Sequence, residues 1–249
     1  MATIKNIAIY IDDLLDSRNF KDYVPNGMQV QGKSEVKKII TGVSATQALI
    51  EAAVEQQADA IIVHHGWFWD KEDPRIIGMK YNRLKLLIEN DINLLAYHLP
   101  LDAHLELGNN AQLAKMLDIE IEDVMDEQGV GNYGRFPEYI SLELLGDKIE
   151  KSLKRKPTLI SAGDHAIRKV AWCSGAAQNW ITKAASTGVD AFISGEISEH
   201  TVHVAREMGV HYIAAGHHAT ERYGVKALGE HVAAKFGLLC KFVDIDNPA

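Results

Sequence analysis

The sequence predicts an α/β protein built as two similar halves, residues 1–125 and 126–249, with mixed, mostly parallel sheets. Three observations carry this. Short β-branched runs bounded by turn residues alternate with segments of helical apolar period. Several runs, such as Ala60-Ile61-Ile62-Val63, are apolar without alternation, as expected of strands buried on both faces. An internal repeat links the halves: Ala45-Thr46-Gln47 with Ala58-Asp59-Ala60-Ile61-Ile62 parallels Ala176-Ala177-Gln178 with Val189-Asp190-Ala191-Phe192-Ile193 at one constant offset.

In chain order, Ile4, Ile7, Ala8, Ile11, Leu14 and Leu15 follow an i, i+3, i+4, i+7 rule and predict an opening amphipathic helix. Residues 23–27 form a turn, 28–32 a short strand and 38–43 a second strand. Ser44 with Gln47 has the spacing of a capping box, and Ala45, Ala48, Leu49, Ala52 and Ala53 give the next helix its apolar face. The strand at 58–65 completes a β-α-β unit, which implies a parallel pair with a right-handed crossover. A helix at 76–90, a strand at 92–97 and a helix at 109–117 follow. Gly129, Gly131 and Gly134 mark loops around a short strand near 133–136. Leu142, Leu145, Ile149 and Leu153 stripe a helix that Pro157 stops. Strands at 167–173, 189–194, 210–215 and 238–245 then alternate with helices at 177–187, 197–208 and 220–236.

Composition narrows the function. With 47% hydrophobic residues over 249 positions, a sizeable core is available. A net charge of −8 argues against a broad nucleic-acid surface. No segment approaches the ~18 apolar residues of a membrane helix, and residues 1–13 lack the basic-then-apolar order of a signal peptide. The two cysteines, Cys173 and Cys240, make no disulfide framework, so a reduced cytoplasmic setting is the expectation.

Histidine is the departure from the ordinary. There are 11, and two pairs are adjacent: His64-His65 and His217-His218. Four predicted strands end in metal-capable side chains: His64-His65, His98 with Asp102, Glu196 with His200, and His217 with Glu221. The last three share an i, i+4 spacing, which on a helix puts both groups on one face. Imidazole with carboxylate suits zinc, iron, manganese, cobalt or nickel rather than calcium. Three or more imidazoles with two carboxylates are enough for two ions about 3.5–4 Å apart. If the halves face each other, their strand ends meet in a shared metal cleft. A lone histidine is more often a satisfied surface or core residue, and His104, His165, His203, His211 and His231 are read that way. Trp67, Phe68 and Trp69 are read as packing residues, with stacking of a flat base as the competing role. There is no P-loop, dinucleotide fingerprint or nucleophile elbow.

At these residues the chain resembles a known family. Asn26-Gly27-Met28-Gln29-Val30, Ala58 to His65, His98-Leu99-Pro100-Leu101-Asp102 with Gly108-Asn109-Asn110, and Gly216-His217-His218-Ala219-Thr220-Glu221 are similar to the dinuclear-metal-centre hexamer family, also known as GTP cyclohydrolase I type 2 homologues or NIF-three-like proteins. The resemblance runs nearly end to end. It implies that His64, His65, Asp102, His217 and Glu221 are ligands of two divalent ions per chain (Zn, Fe, Mn, Ni or Co). His98 becomes a sixth ligand or a partner of one. It implies a homohexameric toroid, and Leu99-Pro100 and Gly66-Trp67 depart from the family's usual residues. The expected activity is metal-dependent hydrolysis of a small-molecule substrate such as a nucleotide or related heterocycle, with His98, Glu196 and His200 moving protons. The alternative is a ring-shaped metal-binding scaffold or adaptor without turnover. Neighbours leaving a strand point apart, so His64 and His65 are expected to serve different ions of one centre.

Overall fold

The computed structural model describes residues 2–249. After a short strand β1 (Ala2–Thr3), Thr3 caps helix α1 (Ile4–Leu14) by accepting the Asn6 amide, and Ile4, Ile7 and Ile11 form its buried stripe. Strands β2 (Gly27–Val30), β3 (Glu35–Val36) and β4 (Lys38–Ser44) follow. Helix α2 (Gln47–Glu55) is capped by Thr46, whose hydroxyl accepts the Leu49 amide. The cap therefore lies two residues beyond the Ser44 expected from the spacing. Ser44 is still in β4, paired in register with His65 of β5 (Ala60–His65), and its hydroxyl is engaged by that imidazole instead. Helix α3 (Gly78–Glu89), strand β6 (Asn93–Ala96) and the short helix α4 (Leu99–Ala103) complete this stretch.

Helix α5 (Asn109–Leu117) leads to strand β7 (Glu120–Val124), which the sequence reading missed, and to β8 (Asn132–Ile140), longer than expected. Ser141 caps α6 (Leu142–Leu153). Strands β9 (Thr158–Ile160) and β10 (Ile167–Cys173), helix α7 (Ile181–Ser186), strand β11 (Ala191–Ser194), helix α8 (Glu199–Met208) and strand β12 (His211–Ala214) restore the alternation. Helix α9 (His217–Phe236) starts three residues earlier than expected, and β13 (Leu239–Phe242) ends the fold.

The chain parts into two compact units. One runs to Leu101 and takes back Gly224–Asp246; the other comprises Asp102–Tyr223 and Asn247–Ala249. This differs from a division at residue 125. The reason is β13, which pairs in parallel with β4 and so returns the chain from Gly224 onward, the later part of α9 and β13, to the first unit. Among the described residues, the first unit's sheet has the order β13-β4-β5-β6-β2, parallel except for β2. The second unit's sheet has the order β7-β8-β10-β11-β12-β9, with β10, β11 and β12 parallel at its centre and antiparallel strands outside. The apolar runs are buried as expected: Ile61, Ile62 and Val63 in one unit and Val170, Ala171 and Phe192 in the other. At ~1.5–3 kcal/mol for each large apolar side chain removed from water, these central strands anchor the register that delivers their C-terminal residues.

The repeat is visible in hydrogen bonding inside each unit. Asp59 accepts the Lys37 and Lys38 amides on one carboxylate oxygen, and its carbonyl accepts the Asn93 amide. Asp190 accepts the Arg168 and Lys169 amides, and its carbonyl accepts the His211 amide. Each aspartate thus clamps three parallel strands at their N-terminal ends, opposite the ends that carry the histidines. Among the described residues no helix is long and apolar enough to cross a membrane.

Candidate metal centre

In the first unit, β5 ends in His64 and His65, and His98 follows β6 after one intervening residue, Tyr97. Parallel pairing of β5 with β6 puts these ends side by side. The His64 and His65 rings have centroids 4.5 Å apart, and His98 lies 5.1 Å from the first and 5.7 Å from the second. One ring nitrogen of each falls within 4.8 Å of the other two. His64 and His98 are buried and His65 is half-buried. The two rings do not point apart as strand alternation led one to expect but converge, with their Nδ1 atoms held on different sides: His64 Nδ1 donates to the Tyr97 carbonyl after β6 (2.9 Å), whereas His65 Nδ1 meets the Ser44 hydroxyl of β4 (3.1 Å). His98 Nδ1 donates to Asp22 (2.9 Å).

Two side chains at the start of β2 fasten these ends. Gln29 accepts the Trp67 amide and donates to the Trp67 carbonyl. A Cβ on Gly66 would run into Gln29 Oε1 and the Ala96 side chain, so the chain after the double histidine needs glycine for close approach. Asn26 accepts the His98 amide and donates to Asp22. Trp67 is buried, with its indole N–H on the Ala45 carbonyl, and so packs as expected. Trp69 does not follow it: its ring stands edge-on to His98 at 5.2 Å and tilted to His65 at 5.9 Å, with Tyr23 beside it at 5.6 Å.

In the second unit, the helical i, i+4 relation brings His217 Nε2 within 3.3 Å of Glu221 Oε1 on α9. One Asp102 carboxylate oxygen lies within 4.8 Å of one from Glu221. Asp102 is buried and accepts the Asn109 amide nitrogen at 2.8 Å and the Ser174 hydroxyl at 2.9 Å. His217 Nδ1 donates to Glu196 at 2.6 Å. Burial alone would lower the His217 pKa, but the hydrogen bonds and charges of Glu221 and then Glu196 outweigh it and hold it up to about 9. Gly175, at φ +64°, closes the site: a Cβ there would collide with Glu221 Oε1 and lie 3.1 Å from His217 Nε2.

His200 is exposed, with its Nδ1 3.2 Å from the Ser198 hydroxyl. It does not share a face with Glu196, because α8 begins only at Glu199 and the i, i+4 rule does not apply before it. Glu196 stands against His217. Sequence reasoning missed the roles of Asp22, Asn26 and Ser44; Asn26 lay in a stretch singled out for another reason, and Ser44 was read as a helix cap.

The donor set fits divalent cations. Buried imidazoles and buried carboxylates rarely gather without one. All four histidines also keep Nδ1 on a protein partner: Tyr97 carbonyl, Ser44 hydroxyl, Asp22 and Glu196. Metal-bound histidines hold their second nitrogen in this way, which fixes the tautomer and leaves Nε2 to the ion.

The whole-chain match decides the family. Residues 2–248 match the family model described as Duf34/NIF3 (NGG1p interacting factor 3). The chain belongs to the Duf34/NIF3 family. A relative from Haemophilus influenzae, named GTP cyclohydrolase 1 type 2 homolog, is 55% identical over 242 residues, covering 96% of each chain. A solved structure described as protein ybgI of unknown function superimposes with a TM-score of 0.97 at 50% identity, covering 99% of this chain and 100% of that one. TTHA1606 from Thermus thermophilus gives 0.91 at 36% identity, with the same coverage. The α/β architecture with mixed sheets is therefore that of NIF3 proteins.

Proposed function

We propose that this NIF3 protein is a metal-dependent hydrolase of a nucleotide or related planar heterocycle, with two divalent ions per chain held by His64, His65, Asp102, His217 and Glu221. The observation that supports the reading is the uniform Nδ1 anchoring of the four histidines, the pattern by which metal-ligating histidines are oriented. The bound ions would supply Lewis acidity and acidify a water. The chain's own residues supply the rest. Ser44 and the Tyr97 carbonyl orient His65 and His64, Glu196 orients His217, and Asn109 and Ser174 hold Asp102. Trp69 and Tyr23 offer an aromatic edge beside His98 and His65, suited to a flat ring. The name carried by the relatives points to the same substrate class. His64 and His65, anchored on opposite neighbouring strands, would serve different ions.

The test is a turnover screen over nucleotides and phosphoesters with protein reconstituted separately with zinc, manganese and iron, alongside metal analysis of His65→Ala and Glu221→Ala. Loss of metal in both variants and turnover by the wild type are expected. Full retention of about two ions per chain in both variants would overturn the ligand assignment.

A second reading, a metal-binding ring of six chains acting as scaffold, draws on an exposed apolar stretch: Ile76, Ile77 and Met79, with Tyr81 and Ile88 on α3. A hexamer in light scattering, with no turnover by any metal form, would favour it.

A further inference from the structure

The residue with the most complete hydrogen-bonding around the histidine group is one that the ligand assignment does not use. Asp22 has a side chain only 3% exposed and receives four donors. One oxygen takes the Tyr23 amide at 2.8 Å and His98 Nδ1 at 2.9 Å; the other takes the Asn26 side-chain amide at 2.9 Å and the Leu99 amide at 3.0 Å. A carboxylate so placed only accepts. His98 Nδ1 must therefore carry a proton, and its Nε2 is the nitrogen left to face His64 and His65. The backbone on both sides of the ring is fixed too, since Asn26 accepts the His98 amide at 2.7 Å while Asp22 holds that of Leu99. Tyr23 and Trp69 stand edge-on to the ring at 5.1 and 5.2 Å and limit its rotation.

We infer that Asp22 is the positioning residue that makes His98 the proton acceptor of this site, locking the tautomer with Nδ1–H on the carboxylate and the Nε2 lone pair toward the histidine group. This rests on the hydrolase reading above. In that reaction the nucleophilic water gives one proton to His98 Nε2. The imidazolium faces the Asp22 carboxylate, and the same proton passes to the leaving group as the scissile bond breaks. Asp22 itself stays ionised throughout. Asparagine at this position keeps the shape but has one acceptor oxygen where two are used. Its NH2 group then opposes either Nδ1–H or the Leu99 amide.

The experiment is long-range 1H–15N correlation on zinc-loaded, 15N-histidine-labelled protein, with the His98 signal assigned by its loss in His98→Asn. Wild-type protein should show the proton on Nδ1 and an unprotonated Nε2. Asp22→Asn should move the proton to Nε2, retain bound zinc by elemental analysis, and lower kcat by about 100-fold with KM little changed. A wild-type His98 protonated on Nε2 would overturn the inference without any variant having to fold. So would Asp22→Asn with an unchanged tautomer and full turnover. If no metal form of the wild type turns over any substrate, the hydrolase reading fails while the tautomer measurement still judges Asp22.

Discussion

Gly175 shows at one residue how the second unit's site depends on an absent side chain. It sits at φ +64°, where glycine carries no steric penalty, and the space a methyl would fill belongs to Glu221 Oε1 and His217 Nε2. Gly175→Ala should leave the circular dichroism spectrum unchanged and weaken zinc binding by about 10–100-fold, in the range seen when the residues around a ligand are altered. Competition with a chromophoric chelator measures this, and an unchanged affinity would show that Glu221 has room to spare. Residues differed widely in how far they could be read from sequence. His217 and Glu221 were legible because four residues on a helix is one turn, and α9 keeps that turn intact. Glu196 and His200 have the same spacing but straddle the start of α8, so the periodicity argument had no helix to act on. Asp22 was illegible: it meets His98 across 76 residues, and nothing in its local sequence distinguishes it from any loop aspartate.

At the scale of elements, α2 separates two hydroxyls that look interchangeable in sequence. Thr46 closes the helix, while Ser44, still in β4, faces His65. Thr46→Ala should cost about 1 kcal/mol, the usual loss of an N-cap, and lower the melting temperature with metal content intact. Ser44→Ala should do the reverse, leaving the melting temperature of the apo-protein nearly unchanged and weakening metal binding. Calorimetry with metal titration distinguishes them, and identical profiles for the two variants would sink the assignment of separate roles. The strand clamps make a matching pair. Asp59 and Asp190 each accept two amides of the neighbouring strand. Lys33 adds an ion pair to the first. Asp59→Ala or Asp190→Ala hands two largely exposed amides to water and loses about 0.5–1.5 kcal/mol of net hydrogen bonding for each. Urea unfolding should report the loss. The elements that sequence missed have physical reasons of their own. β7 reads Glu-Ile-Glu-Asp-Val, too acidic for an apolar strand pattern, because it is an exposed edge strand with no face to bury.

For the whole molecule, the α/β class and the repeat could be read from apolar runs and turn residues, but the division into units could not. Parallel pairing of β13 with β4 is a contact between the chain's far ends, and local pattern carries no information about it. That return also buries an ionisable group in the first unit's sheet, and the second unit has its counterpart. Burial in β13 pushes the Cys240 thiol up to about 11, the Glu230 charge adding to it. Burial in β12 likewise drives the Tyr212 phenol up, and its hydroxyl donates to the Glu196 carbonyl. Both groups hold their protons more tightly folded than unfolded. The stability they contribute is therefore complete below the unfolded values, near 9 for cysteine and 10 for tyrosine, and is lost as the pH rises toward the folded ones. Each extra proton released by the unfolded chain removes about 1.4 kcal/mol per pH unit. Urea midpoints of the wild type should fall steadily above pH 9, and Cys240→Ser, with its hydroxyl un-ionised throughout, should fall less steeply between pH 9 and 11. Equal slopes for the two proteins would mean that Cys240 titrates alike in the folded and unfolded chain, and that the return of β13 does not shield it.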